Sequence, residues 1–219
     1  MSKMSERRRL LFSLFEFPQE PTSYSLIGTY TSTQNWSAPE DGWFQIEVYG
    51  ASGSGGKGNS NYSCSGGGGG GGGLAISRVK LKKGEIISLT VGGVGSTAKA
   101  VVTGSLAVAN LSVTSAASGG DCVLPETGNY GDSGAGGAGG TASGGNYANY
   151  PGSRGEDGKP AFFGGGGEGG SGGKPGGYDN GYSSGNFGGK GGNGNKGGVT
   201  SGESGKAAFV KIYRGNYNR

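Results

Sequence analysis

The sequence predicts an all-β domain that encloses ordered, extended glycine segments, and three observations carry that prediction. Trp43-Phe44-Gln45-Ile46-Glu47-Val48-Tyr49 alternates with a period of two, which is the pattern of a half-buried strand. Glycine supplies 56 of 219 residues, far above the usual ~7%, and most of it lies in residues 119–205. A further apolar stretch, residues 206–213, follows that tract. A lone strand is not stable, so this last stretch must pair with strands before the tract. The glycines therefore lie inside the domain and are not a linker to another one. Nothing in the chain reads as a capped helix.

Taken in order, residues 1–24 form a separate arm. It is basic at Arg7, Arg8 and Arg9, apolar at Leu11, Phe12, Leu14, Phe15 and Phe17, and broken by Pro18 and Pro21. Isolated helices of this length are marginal in water. The arm is therefore expected to dock on a partner through Arg7, Arg8, Arg9, Leu11, Phe12 and Phe15, the alternative being a disordered terminus. Its opening imitates a signal peptide, but the apolar run is cut short by Glu16 and no small-residue cleavage site follows. No stretch approaches the ~20 apolar residues of a membrane span, so a soluble protein without membrane insertion is expected.

Residues 25–215 form the glycine-rich domain. Residues 25–32, rich in Tyr, Thr and Ile, open it as a strand, and residues 36–42 carry a Pro and an Asp-Gly turn signal. The alternating strand 43–49 comes next. Residues 50–73 are a glycine insertion ending in a run of glycines, after which residues 74–81 resume the alternation through Leu74, Ile76 and Val79. Residues 82–85 read as a turn, and residues 85–91 as the returning strand of a hairpin. Residues 99–103 and 106–114 add apolar stretches, and residues 206–213 close the domain, for about seven or eight strands in all.

Glycine costs more backbone entropy to fix than any other residue, so an ordered tract needs dense compensation. Burying apolar side chains cannot supply it, but backbone hydrogen bonds can. The polyproline II conformation has three residues per turn and no internal hydrogen bonds, so every amide and carbonyl points outward. Where two of three side chains are hydrogen, such helices can pack side by side and bond to one another. Collagen is excluded, because it needs strict Gly-X-Y and abundant Pro. The segments between glycine runs are then loops, and they are aromatic and polar. Tyr147, Tyr150 and Arg154, then Tyr178 and Tyr182, then Phe187 are the candidate contact residues. Tyr, Ser, Gly and Asn are also favoured in antibody combining loops, since they offer contact area at low entropic cost.

Composition excludes several functions. The chain has no histidine, which removes the usual general base, the Ser-His and Cys-His pairs and the commonest metal ligand. Cys64 and Cys122 cannot make a zinc site alone; they form one disulfide or remain two half-buried thiols. A net charge of +4 is too balanced to imply nucleic acid. Gly53-x-Gly55-x-x-Gly58 matches a dinucleotide fingerprint but opens no helix. Gly169-x-Ser171-x-Gly173 matches a nucleophile elbow that lacks its histidine. Glu40-Asp41 and Glu156-Asp157 are adjacent pairs whose carboxylates point apart. No enzyme, cofactor or metal is expected.

The order of elements is distinctive. Val48-Tyr49-Gly50 ends a strand, residues 66–73 are all glycine, and a strand closes on Val91-Gly92-Gly93. A long glycine tract follows, and the chain ends in Gly202-x-x-Gly205-x-Ala207-x-Phe209-Val210-x-Ile212. This resembles the glycine-rich domain of bacteriophage tail-fibre and other virion proteins over residues 27–214. The resemblance implies a β-sandwich frame enclosing packed polyglycine II helices, with loops between glycine motifs touching a bacterial receptor, protein or glycan. It implies a non-enzymatic virion protein made in the bacterial cytoplasm, held to other virion proteins by the arm and open to homo-oligomer formation. A capsid- or tail-decorating protein without receptor binding is one alternative. A secreted glycine-rich ligand or wall protein is the other.

Overall fold

The computed structural model describes residues 19–127, 130–159, 169–180, 182, 186–191 and 199–217. Its strands in chain order are β1 (Ser23–Tyr30), β2 (Gln34–Ser37), β3 (Gly42–Tyr49), β4 (Gly58–Asn59), β5 (Leu74–Leu81) and β6 (Ile86–Thr90). They continue with β7 (Ala98–Thr103), β8 (Val108–Val113), β9 (Ala142–Ser143), β10 (Ala148–Tyr150), β11 (Val199–Thr200) and β12 (Phe209–Asn216). Two five-stranded antiparallel sheets result, ordered β1-β12-β3-β5-β10 and β2-β6-β7-β8-β9, with β4 and β11 paired apart from them. The fold is all-β and sandwich-like.

One apolar core lies between the sheets. Phe44, Ile46 and Val48 of β3, Val79 and Leu81 of β5, and Val210 and Ile212 of β12 supply one side. Ile87 and Leu89 of β6, Val102 of β7, and Leu111 and Val113 of β8 supply the other. In β6, β7 and β8 outward residues alternate with buried ones, because successive side chains point to opposite faces. The strand expected to be half-buried at residues 43–49 is instead covered on both faces, only Trp43 being partly exposed. The closing strand β12 pairs with β1 and β3, both at the start of the chain, as the requirement for a partner dictates.

Two strand expectations are corrected. Residues 74–81 and 85–91 are not a hairpin: β5 pairs with β3 and β10, while β6 pairs with β2 and β7. The chain crosses between sheets at residues 82–85. There Gly84 N–H donates to Ala38 O (2.8 Å), and Ala38 N–H donates to Glu85 O (2.9 Å). Those bonds steer β6 onto β2, a strand over Gln34–Ser37 that overlaps the start of the 36–42 stretch read as a turn. Alternation reports a buried face but not which sheet owns it.

The glycine segments form a bundle beside the sandwich, and its axis is residues 65–73. Gly67, Gly68 and Gly69 donate to three different neighbours, Gly120 O (3.0 Å), Glu156 O (2.9 Å) and Gly189 O (2.8 Å). Gly70, Gly71 and Gly72 return to the same neighbours three residues earlier, at Ala117 O, Ser153 O and Asn186 O. The carbonyls of the axis accept in the same rhythm. Gly134, Gly137 and Gly140 donate to Ser65, Gly68 and Gly71; Gly170, Gly173 and Gly176 to Gly66, Gly69 and Gly72; Gly56, Gly53 and Gly50 to Gly67, Gly70 and Gly73. The axis thus touches segments near residues 50–57, 115–122, 133–141, 152–159, 169–177 and 186–191. Those segments bond to one another around it, for example Ala117 to Ala138 and Gly155 to Gly137. These hydrogen bonds recur at every third residue.

Every axial residue from Gly66 to Gly73 is buried. A methyl built on Gly68 would overlap the Ser171 carbonyl, and one on Gly70 the Ala138 carbonyl. The hub of the bundle therefore lies in the 50–73 insertion, outside residues 119–205. On the rim the requirement relaxes. Ala135, Ala138 and Thr141 are exposed, while Gly134, Gly137 and Gly140 between them are buried.

Candidate functional site

The segments run out from the sandwich and back, so the bundle has two ends. At the far end are residues 58–64, 122–127 and 130–132, tied by a disulfide between Cys64 and Cys122, whose Cα atoms are 5.6 Å apart and so within the ordinary range for a bridge. Of the two expectations for these cysteines, pairing is the one the structure holds. At the sandwich end are residues 144–151, 177–180 and 182, beside the outer face of the first sheet. The candidate site is built here.

Loop 144–150 is fixed to β5. Asn146 exchanges two hydrogen bonds with Arg78: Arg78 N–H donates to Asn146 Oδ1 (2.9 Å), and Asn146 Nδ2 donates to Arg78 O (2.9 Å). Asn149 does the same with Gly145, and Gly144 turns the chain at a φ of 76°, a value that favours glycine. Strand β10 then pairs Ala148 with Ile76 and Tyr150 with Leu74. This clamp puts the Tyr147 ring under the Arg78 guanidinium, 3.6 Å from the ring centroid, a cation–π contact. Arg78 also donates to Gln45 (2.9 Å) and pairs with Glu20 (3.1 Å). Tyr24 lies 4.9 Å from it on another side.

The centre of this face is Glu47, only 2% exposed. Its Oε2 accepts from Tyr49 (2.7 Å) and Tyr213 (2.9 Å), and its Oε1 from Gln45 (2.8 Å). A buried carboxylate is tolerated when its lone pairs are occupied in this way. Burial, then the Glu47 carboxylate and its hydrogen bond, push the Tyr213 hydroxyl up. Burial likewise raises Tyr182, with Glu47 adding to it. Tyr24 is pushed up to about 12 by burial, partly offset by Arg78. These hydroxyls therefore stay protonated at neutral pH; that of Tyr213 donates to Glu47, whereas that of Tyr24 is buried without a hydrogen-bond partner among the described residues.

The candidate residues from the sequence separate into groups. Tyr150 and Tyr182 are half-buried, with ring centroids 5.9 Å apart, and pack on a second small core of Tyr49, Leu74 and Ile76. Tyr147 is half-exposed. Tyr178 begins a 3-10 turn, Tyr178–Asn180. These residues belong to the sandwich end. Arg154 instead points outward from the bundle and pairs with Asp157. Phe187 is half-buried beside Asn186, whose amide donates to Gly50 O and Ala207 O. Arg7, Arg8, Arg9, Leu11, Phe12 and Phe15 lie outside the described residues.

An open cleft of about 180 Å³ sits between the two loops, lined by Tyr150, Pro151, Ser153, Lys174, Pro175 and the 177–180 turn. Sequence reasoning missed Glu47, Gln45 and Arg78, which it took for the polar face of a half-buried strand. The signal that could have found them is that the same face of β3 carries Trp43 and Tyr49, too aromatic for a solvent face. Among the described residues no group of three or more His, Cys, Asp or Glu is placed to hold a metal, and no helix is long and apolar enough to cross a membrane.

No protein-family model matches the chain, and no curated protein is significantly similar to it.

Proposed function

We propose that this chain is a non-enzymatic bacteriophage virion protein, a fibre or spike component that contacts the host surface. In this reading the glycine segments are polyglycine II helices packed as a rigid body. Loops 144–151 and 177–180 are the contact surface, and the part of the expected 1–24 arm that precedes β1 joins the protein to other virion proteins. The observation that carries it is the threefold hydrogen-bond rhythm around residues 65–73, which makes a stiff support for aromatic loops. A rigid support matters because loop ordering is a main cost of binding.

The purified protein is expected to bind cells of the host. Truncating Tyr147 or Tyr150 to Ala should weaken that binding at least tenfold while the melting of the bundle stays cooperative. Absence of cell binding by the intact protein would refute the receptor role. If deletion of residues 1–20 then removed the protein from particles, the decorating role would stand in its place.

The Cys64–Cys122 disulfide favours a second reading, a secreted glycine-rich ligand or wall protein, because such bonds persist in oxidising surroundings. Detection of the mature chain outside uninfected cells, with this disulfide intact, would select it.

A further inference from the structure

We infer that the cleft between Tyr150 and the 177–180 turn is a saccharide subsite, taking one neutral pyranose unit at the end of a longer glycan. The inference rests on the surface-contact reading above and names its ligand class. Size is the first argument. At about 180 Å³ the cleft falls below the ≈ 300–1,000 Å³ of pockets that enclose drug-sized ligands. It holds about one ring, and the open mouth lets the rest of a longer chain project outward.

Chemistry is the second. The Tyr150 ring, Pro151 and Pro175 give apolar surface suited to the C–H face of a sugar ring. Around them stand the Asp179 carboxylate and the Asn180 amide, a mixed set of donors and acceptors of the kind that vicinal hydroxyls require, while the Ser153 hydroxyl is taken up by the Lys174 backbone. Charge is the third argument. Lys174 Nζ pairs with Asp179 at 3.2 Å, so the cleft carries no net charge and gives neither an anion nor a cation an advantage. Asp179 keeps its second oxygen for a ligand.

The walls are set before any ligand arrives. Tyr150 is held by β10 pairing, Ser153 N–H donates to Lys174 O (2.9 Å), and Gly176 N–H donates to Gly72 O (2.7 Å) on the bundle axis. Both prolines have fixed φ. Such preorganisation reduces the cost of binding. For a ligand of one ring the dissociation constant should be on the order of 1 mM, rising in avidity when copies bind together.

The test uses the full chain and methyl glycosides of glucose, galactose, mannose and N-acetylglucosamine, with N-acetylneuraminic acid as the charged control. Ligand-observed NMR should detect at least one neutral glycoside, binding that is insensitive to salt, and at least a tenfold loss in the doubly substituted Asp179→Ala/Asn180→Ala protein. Both residues are exposed, so the variant should melt as the parent does. No bound neutral glycoside, or equal binding by the variant, overturns the subsite. Cells treated with periodate or with protease separate this inference from the one beneath it. Loss of cell binding after periodate supports the saccharide. Binding that survives periodate but not protease overturns the saccharide and leaves the surface-contact reading standing. No binding to untreated cells refutes both.

Discussion

In the sandwich the fold is held by side chains, and in the bundle by the backbone. Phe44, Ile46, Val48, Ile87 and Leu111 meet in one apolar core, where each fully buried side chain contributes about 1.5–3 kcal/mol. The axis of the bundle has no side chain beyond Ser65. Its order comes from amides and carbonyls that reach surrounding segments in threefold rotation, each bond contributing a net ≈ 0.5–1.5 kcal/mol. The contrast shows what each region tolerates. A core of side chains can be repacked, since neighbours shift and rotamers change. A lattice of backbone cannot, because the atoms that would have to retreat are themselves hydrogen-bonded.

The largest expected effect tests that contrast directly. Gly70→Ala puts a methyl on the Ala138 carbonyl, with backbone on every other side of the axis. Its destabilisation should exceed about 4 kcal/mol, the range reserved for exceptional substitutions. Soluble expression and urea unfolding read the result. A stable Gly70→Ala protein would mean that the axis is not packed as described. Leu111→Ala, in the sandwich core, should cost about 2–5 kcal/mol and leave a folded protein whose bundle is intact. Larger damage from Leu111→Ala than from Gly70→Ala would reverse the comparison.

The outer face of the first sheet adds a pH-dependent term peculiar to the sandwich. Tyr24, Tyr182 and Tyr213 all have hydroxyl pKa values raised above the ordinary 10. The folded protein keeps protons there that the unfolded chain releases above about pH 10. This stabilisation is fully present below that pH and is lost as pH climbs through the folded values, that of Tyr24 being about 12. Urea midpoints measured at about pH 9, 10.5 and 11.5 should fall across the last two steps, with tyrosinate absorbance appearing late. Glu47→Gln should make this face less stable by about 1–3 kcal/mol at neutral pH, because the amide cannot accept on both sides as the carboxylate does. A flat midpoint over that window would show that the tyrosines are not enclosed.

Strand positions such as Gly42–Tyr49 and Leu74–Leu81 were legible because their apolar residues recur largely at every second position, although both strands are covered on almost all sides. Enclosure of the glycine tract was legible too, since β12 had to find partners upstream. The hub was not. Every glycine looks alike in sequence, and residues 65–73 became the axis only because segments as distant as Gly189, which bonds to Gly69, meet them. The site divided in the same way. Tyr147 and Tyr150 stood out as aromatics in polar loops, whereas Glu47 did not, because a lone carboxylate in an alternating strand reads as solvent-facing until Tyr49 and Tyr213 close over it.

The smallest expected effect discriminates most finely, because it concerns three consecutive residues. On the rim segment 133–141, Gly137 N–H donates to Gly68 O on the axis, and a methyl there would overlap the Ala117 carbonyl. A methyl on Gly139 would overlap the Gly152 carbonyl of the next segment. Ala138, between them, is exposed, and its side chain is the one that leaves the bundle. Ala138→Lys should therefore change stability by less than about 0.5 kcal/mol, as ordinary surface substitutions do, while alanine at 137 or 139 unfolds the bundle. Extended along the rim, tolerance should recur at 135, 138 and 141, where the exposed residues fall. A saturation scan of residues 133–141 scored by protease resistance would show a period of three. Strand β8 scored the same way should show a period of two, because its residues alternate between core and solvent. A rim that tolerated every position equally would be a loop, and the bundle would lose its claim to be the rigid half of the molecule.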